Sequence, residues 1–259
     1  MLKYLALVMV MISASVAWAQ GGDSWVRDKA TTGAASILDS KPNVLKINSP
    51  HVKSSKTTKG YRSKKDYGEA PLGLAWGVSA KDVKAYGINL RAVDTKSFPN
   101  SYDATYLPNP IKELPEVTLS FGDEDKLWRI ISYSKPAYDD DQASKGLYLY
   151  RKYYQLLTLK YGEAKEFFKP KINSVEETIV DDKGNSDVQY TEVESAIGDK
   201  AFLKDLQSKE VELYSIFEEG KLGVSLALMV DERGKSYIVI EYRNSEIMQE
   251  NYDETLKSL

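Results

Sequence analysis

A single histidine, thirty-eight aspartates and glutamates and no cysteine set the chemistry open to this chain. Without a second histidine or any thiolate, a zinc site around His51 would need carboxylate ligands, an uncommon arrangement. A serine triad would need His51 held by an acid in a fixed orientation. His51 lies among lysines in a stretch with no apolar period, so it reads as a solvated linker residue. The missing cysteines exclude thiol catalysis, cysteine-based metal sites and any disulfide framework.

The acids offer two local clusters. Asp139, Asp140 and Asp141 could collect a hard cation through their oxygens. They also precede a long helical stripe, where the helix N-terminus favours negative charge, and capping is the preferred reading. Asp181, Asp182, Asn185 and Asp187 resemble part of a calcium loop but lack its spaced ligands and final glutamate. A hairpin turn explains them more simply. Glycan hydrolysis needs two carboxylates at a defined separation, and no local pattern selects such a pair. Phosphate loop, nucleophile elbow and dinucleotide fingerprint are all missing from the sequence. The expectation is therefore no catalytic residue, no metal and no cofactor.

The sharper functional candidate is a run of cations. Between Gln20 and Lys65 stand ten basic residues: Arg27, Lys29, Lys41, Lys46, Lys53, Lys56, Lys59, Arg62, Lys64 and Lys65. Only Asp23, Asp28 and Asp39 oppose them, although the whole chain carries a net charge of −3. A basic head thus precedes an acidic body. Lys41, Lys46, Lys53, Lys56, Lys59, Arg62, Lys64 and Lys65 could engage an envelope protein, an anionic polymer or lipid head groups through summed, salt-sensitive attraction. The competing reading is a linker kept extended by its own charge. Tyr148 joins the candidate contacts, because it faces outward from a helix rich in tyrosine, and such rings favour interfaces.

The leader explains why nucleic acid is not the expected partner. Lys3, the apolar run Leu5 to Ile12 and the small-x-small Ala17-Trp18-Ala19 read as a signal peptide over residues 1–19, cleaved before Gln20. That run is too short to span a bilayer, and nothing later is long and apolar enough to do so. With no cysteine, a lipid anchor on one is excluded, so the expected destination is the periplasm, with secretion as the other outcome.

What must position these groups is a body of about 190 residues. Residues 20–68 read as a flexible arm, with one short strand candidate at Asn43-Val44-Leu45-Lys46-Ile47. Order is expected from near Pro71. Ser79 and Asp82 form a capping pattern, Val78 and Val83 a hydrophobic staple, and Gly87 a stop. After a proline-rich loop, Val117 to Phe121 and Leu127 to Tyr133 predict a hairpin whose second strand is apolar on both faces and therefore central. A helix from Asp139–Ser144 to Tyr161 follows, with Leu147, Tyr150, Tyr154, Leu157 and Tyr161 on one stripe to be covered by sheet. Glu176 to Val180 and Asp187 to Val193 predict a second hairpin, and Asp199 to Gln207 a short helix. Val211 to Phe217, Leu222 to Val230 and Ser236 to Tyr242 predict a three-strand meander. The last dozen residues read as a short helix or a frayed tail.

The expected fold class is α+β: antiparallel sheet, hairpins plus the C-terminal meander, packed by one long and several short helices. Residues 69–259 read as a single domain. An echo between Phe121-Gly-Asp-Glu-Asp-Lys-Leu127 and Phe217-Glu-Glu-Gly-Lys-Leu222 raises two similar halves, 69–170 and 171–259, although shared turn chemistry is the preferred explanation.

The stretch Gly73-Leu74-Ala75-Trp76-Gly77-Val78-Ser79-Ala80-Lys81-Asp82-Val83 resembles the helix start of the SmpA/OmlA outer-membrane assembly lipoproteins and of the β-lactamase-inhibitor-like fold. Leu156-Leu157-Thr158-Leu159-Lys160-Tyr161-Gly162 is similar to a helix ending found in exported proteins of that look. The likeness covers about fifteen residues, whose physics is largely helix capping. The lipidated cysteine of the lipoproteins is missing, and the chain is longer than one such domain. The resemblance implies a small exported α+β domain that binds rather than catalyses. The reading that follows is a non-enzymatic periplasmic protein that binds a cell-envelope partner as an assembly or accessory factor. An inhibitor or immunity protein of a hydrolase is the alternative within binding, and a two-carboxylate cell-wall or glycan hydrolase is the alternative class.

Overall fold

Ser79 starts the first helix as its side chain dictates. Its hydroxyl accepts from the Asp82 amide at 3.1 Å and donates to the Asp82 carboxylate at 2.8 Å. Helix α1 then runs Ala80–Ala85, and Gly87 at φ 83° turns the chain away. Val78 and Val83 are both buried, as a staple requires. These elements belong to a computed structural model that describes residues 65–93, 100–122, 124–180 and 186–257. The leader, His51, the strand candidate at 43–47 and the arm up to residue 64 lie outside the described residues.

Ahead of α1, strands β1 (Glu69–Ala70) and β2 (Leu74–Ala75) make a minimal hairpin. After it come β3 (Asn89–Ala92), β4 (Ser101–Thr105), β5 (Glu116–Phe121), β6 (Leu127–Tyr133) and the short β7 (Ala137–Tyr138). Helix α2 spans Ser144–Tyr161, and β8 (Lys165–Lys169) follows. A separate pair, β9 (Ile172–Val180) and β10 (Ser186–Glu194), precedes helix α3 (Phe202–Ser208). The chain ends in β11 (Glu212–Glu219), β12 (Leu222–Val230), β13 (Lys235–Asn244) and helix α4 (Ser245–Lys257). The fold is α+β, with every strand pairing among the described residues antiparallel.

The main sheet has nine strands in the order β3-β4-β5-β6-β13-β12-β11-β8, with β7 beside β13. It joins two meanders, each reading helix then four strands: α1 with β3 to β6, and α2 with β8 and β11 to β13. They meet through their last strands, β6 against β13, with Tyr242 opposite Ile130. The expected central position of β6 is therefore correct. The echo between Phe121–Leu127 and Phe217–Leu222 links the third and fourth strands in one meander but the second and third in the other. Those two turns share chemistry without occupying matching places.

Helix α2 lies on this sheet. Leu147, Tyr150, Tyr153, Leu157 and Tyr161 are buried, and Tyr150 Oη sits 2.5 Å from Ser215 Oγ on β11. Gly146 permits the approach: a Cβ there would stand 2.8 Å from both Leu228 Cδ1 and Ser236 Cβ. Gly162, at φ 84°, ends the helix. The same hydrophobic cluster takes in Val83, Val117, Leu119, Ile130, Phe202, Leu226, Ile238, Ile240 and Ile247, so the four α-helices of the described residues share one core. Alternation sends Ile131, Tyr133, Ala227, Tyr237 and Val239 to the opposite face, where they too are buried.

Four strands of the sheet, β3, β4, β7 and β8, fall where the sequence reading placed loop or nothing. Near the C-terminus, Ser245–Lys257 form a thirteen-residue helix. It is capped by Asn244 Oδ1, which accepts from the Glu246 and Ile247 amides at 3.1 Å each. No helix among the described residues is long and apolar enough to cross a membrane.

Candidate functional site

Of the cations proposed from sequence, Lys41, Lys46, Lys53, Lys56, Lys59, Arg62 and Lys64 lie outside the described residues. Lys65 is described, and it is engaged. Its Nζ is 2.8 Å from Glu246 Oε1 and 2.7 Å from Glu250 Oε1, both on α4. Glu250 also accepts from the Tyr67 hydroxyl at 2.6 Å and from Lys126 Nζ at 3.0 Å, the latter on the turn between β5 and β6. Burial opposes ionisation of Glu250, but the hydrogen bonds from Lys65, Tyr67 and Lys126 outweigh it and hold its pKa down at about 2. Lys221 completes the network at 2.6 Å from Glu246. The end of the basic segment is thus tied to α4.

Tyr148 stands exposed on α2, and Leu156 and Leu159 are exposed on the same helix. Lys65, which precedes β1, is bound to α4, whereas Tyr148 stands on α2. The aspartates before α2 act as caps: Asp139 accepts from the Lys145 amide at 2.9 Å and the Gly146 amide at 2.7 Å. Asp139 takes the Ser236 hydroxyl at 2.6 Å as well, while Asp140 accepts from the Ser144 amide at 2.9 Å. Although burial alone would raise the pKa of Asp139, these donors lower it.

Glu166, on β8, is a carboxylate whose pKa burial raises, with Arg151 acting in the opposite sense. Such an acid is what general acid catalysis requires. The groups that feel its charge are Tyr150 and Tyr154 on α2.

The opposite sheet face holds a buried ion cluster. Glu241 Oε1 lies 2.7 Å from Arg129 Nε and 2.9 Å from Arg243 Nε, with the Glu241 side chain 1% exposed. The Arg129 contact is a charge contact rather than an aligned hydrogen bond, and Glu241 Oε2 accepts no hydrogen bond in the structure. Such a cluster contributes to the register of β6 on β13 rather than to an open site.

The feature that sequence reasoning did not single out as a site is the hairpin β9–β10. Pro170 cannot extend the β8 ladder, and the chain leaves the main sheet there. Lys171 and Ser195 close the base: the Ser195 amide donates to the Lys171 carbonyl, and the Lys171 amide to Ser195 Oγ, both at 2.9 Å. Lys171 Nζ fixes this base to the middle of α3 and to the turn after it, 3.1 Å from Asp205 and 2.9 Å from Glu210. Beyond it, nine pairs from Ile172↔Glu194 to Val180↔Ser186 run about 30 Å. Among the described residues, β9 and β10 pair only with each other.

Every described position of both strands is exposed, including Ile172, Val175, Ile179, Val188, Tyr190 and Val193. Residues 172–194 hold seven acids, Glu176, Glu177, Asp181, Asp182, Asp187, Glu192 and Glu194, against Lys183. Of these, Glu176, Glu177, Asp187, Glu192 and Glu194 lie on the two described strands, which carry no lysine or arginine. No protein-family model matches the chain, and no curated protein matches it in sequence. The hairpin has a readable signal after all: its apolar residues fall on both faces of the ribbon. Face by face, Ile172, Val188 and Tyr190 oppose Val175, Ile179 and Val193, a pattern that no single buried side explains.

Proposed function

We propose that this is a non-enzymatic binding protein of the bacterial cell envelope, exported by its leader to the periplasm, which engages a partner protein through the hairpin Ile172–Glu194. The observation that carries the reading is the hairpin itself. It spends eighteen strand residues on a structure that buries none of their described side chains. Exposed isoleucine, valine and tyrosine between carboxylates supply contact area and orientation to a partner. The leader and the tyrosines of α2 are consistent with the same role.

The test replaces residues 173–193 by a two-residue turn between Ile172 and Glu194, alongside a second variant lacking residues 41–64. Both are expressed with the leader, and periplasmic and membrane fractions are compared after crosslinking. The reading expects the hairpin variant to fold, to be exported and to lose a crosslinked envelope protein that the intact chain retains. Unchanged crosslinking would overturn it. Loss only in the 41–64 variant would move the binding role to the basic segment.

The inhibitor reading draws on the same charge. An acidic ribbon of this length suits a basic cleft, and tight one-to-one capture of a hydrolase would distinguish it from an assembly factor.

A further inference from the structure

Resting on that binding role, we infer that the β9–β10 hairpin is an incomplete sheet, and that an extended lysine- or arginine-bearing segment of a partner protein completes it by pairing with the free edge of β10.

A two-stranded hairpin is marginal in water, and a third strand or a packed face is what gives such a unit independent stability. Here neither is supplied by the described residues: both long edges are open and both faces are exposed. Proteins usually blunt an open edge with lysine, proline or a bulge. Ser186–Glu194 contains none of these, and its pairing to β9 runs in unbroken register across all nine residues. The only devices against promiscuous pairing are carboxylates. Acid repels a second acidic edge, so it disfavours another copy of the same hairpin, and it selects a basic strand instead.

The pattern along β10 sets the chemistry of that strand. Val188, Tyr190, Glu192 and Glu194 share one face, and Asp187, Gln189, Thr191 and Val193 the other. An added strand would place apolar side chains beside Val188 and Tyr190, and cations beside Glu192 and Glu194. Glu176, opposite Tyr190 on β9, adds charge to the same face. Main-chain pairing supplies affinity in such additions, and the alternate side chains supply selection.

Three eleven-residue peptides test this against the purified full chain: one with two valines and then two lysines at every second position and threonine between them, its form with glutamate for each lysine, and its form with glycine for each valine and threonine, at the same charge as the first. The first should bind about tenfold more tightly than the third and be rejected in its glutamate form. Its binding should slow amide exchange in residues 186–194, and the triple variant D187N/E192Q/E194Q should weaken it about tenfold. Equal binding of the lysine–glycine peptide would overturn strand addition, because charge alone would then suffice. Binding without exchange protection in β10 would overturn it too. So would self-association through the hairpin that the triple variant does not change, since a second copy would then be the occupant. Capture of an envelope protein through the hairpin without protection of β10 would leave the binding role standing and remove this inference alone.

Discussion

Arg129 on β6 and Glu241 on β13 bring their side chains to 2.7 Å across the junction of the two meanders, each 4% exposed or less. Arg243 Nε lies 2.9 Å from the same carboxylate oxygen. Removing one partner of a buried ion pair leaves a desolvated charge behind, at a cost of about 3–5 kcal/mol. Glu241→Ala should therefore destabilise the fold by about that amount in urea denaturation. Arg129→Met with Glu241→Leu should recover much of the loss, because the charge imbalance is smaller and packing replaces it. A single variant indistinguishable from the parent would show that the pair does not hold the junction.

Glu250 should govern the acid limb of stability. Its pKa is about 2 in the folded chain against 4.5 unfolded, so its contribution is complete above pH 4.5 and fades as pH falls toward 2. Glu250→Gln should lower the melting temperature at neutral pH by a few degrees at most, because solvent screens a site this exposed. The gap between the two proteins should close by about pH 2. A gap that stays constant with pH would mean that the carboxylate charge contributes nothing.

Gly146→Ala tests how closely α2 approaches the sheet. Alanine is intrinsically better in a helix by about 1 kcal/mol. Its methyl, however, would stand 2.8 Å from Leu228 Cδ1, a tip that can swing, and from Ser236 Cβ, which is fixed to its strand. Overpacking of this kind costs about 1–3 kcal/mol, so net destabilisation is the expected result of thermal melts.

Asp139→Ala should cost about 1–2 kcal/mol, as loss of a helix cap does. Two amides of the first turn and the Ser236 hydroxyl lose their acceptor together. Asp140→Ala removes one acceptor, for the Ser144 amide, and should cost less. Equal losses would show that Ser236 gains nothing from Asp139.

What the sequence made readable follows the range of the interactions involved. α1 and α2 were legible because their caps and stops, Ser79, Asp82, Gly87, Asp139 and Gly162, act within a few residues. The C-terminal meander was legible because its turns are short and its apolar alternation strong. β3 and β4 were not. Only Leu90 and Ala92 on β3, and Tyr102 and Ala104 on β4, share the helix-side face, too few for a period to emerge. β8 is Lys-Glu-Phe-Phe-Lys, whose strand character comes from pairing with β11, more than forty residues away. The Arg129–Glu241 contact depends on the β6–β13 register, which no local pattern reports. The hairpin was found but read too short, since Ile172 and Glu194 look like loop until their pairing is seen.

The order of the sheet also fixes when it can be finished. β6 waits for β13, and β13 is the last strand to be made. Until residues 235–244 are free to pair, the first meander presents an open edge lined by Ile131 and Tyr133. A chain that stops before Lys235 would carry that edge permanently and be prone to aggregate. Assembly is therefore an all-at-the-end event that depends on contacts distant in sequence, and such topologies fold slowly. A polypeptide that cannot close its sheet early remains threadable for longer, a property of use to any chain that must pass through a narrow channel before it folds.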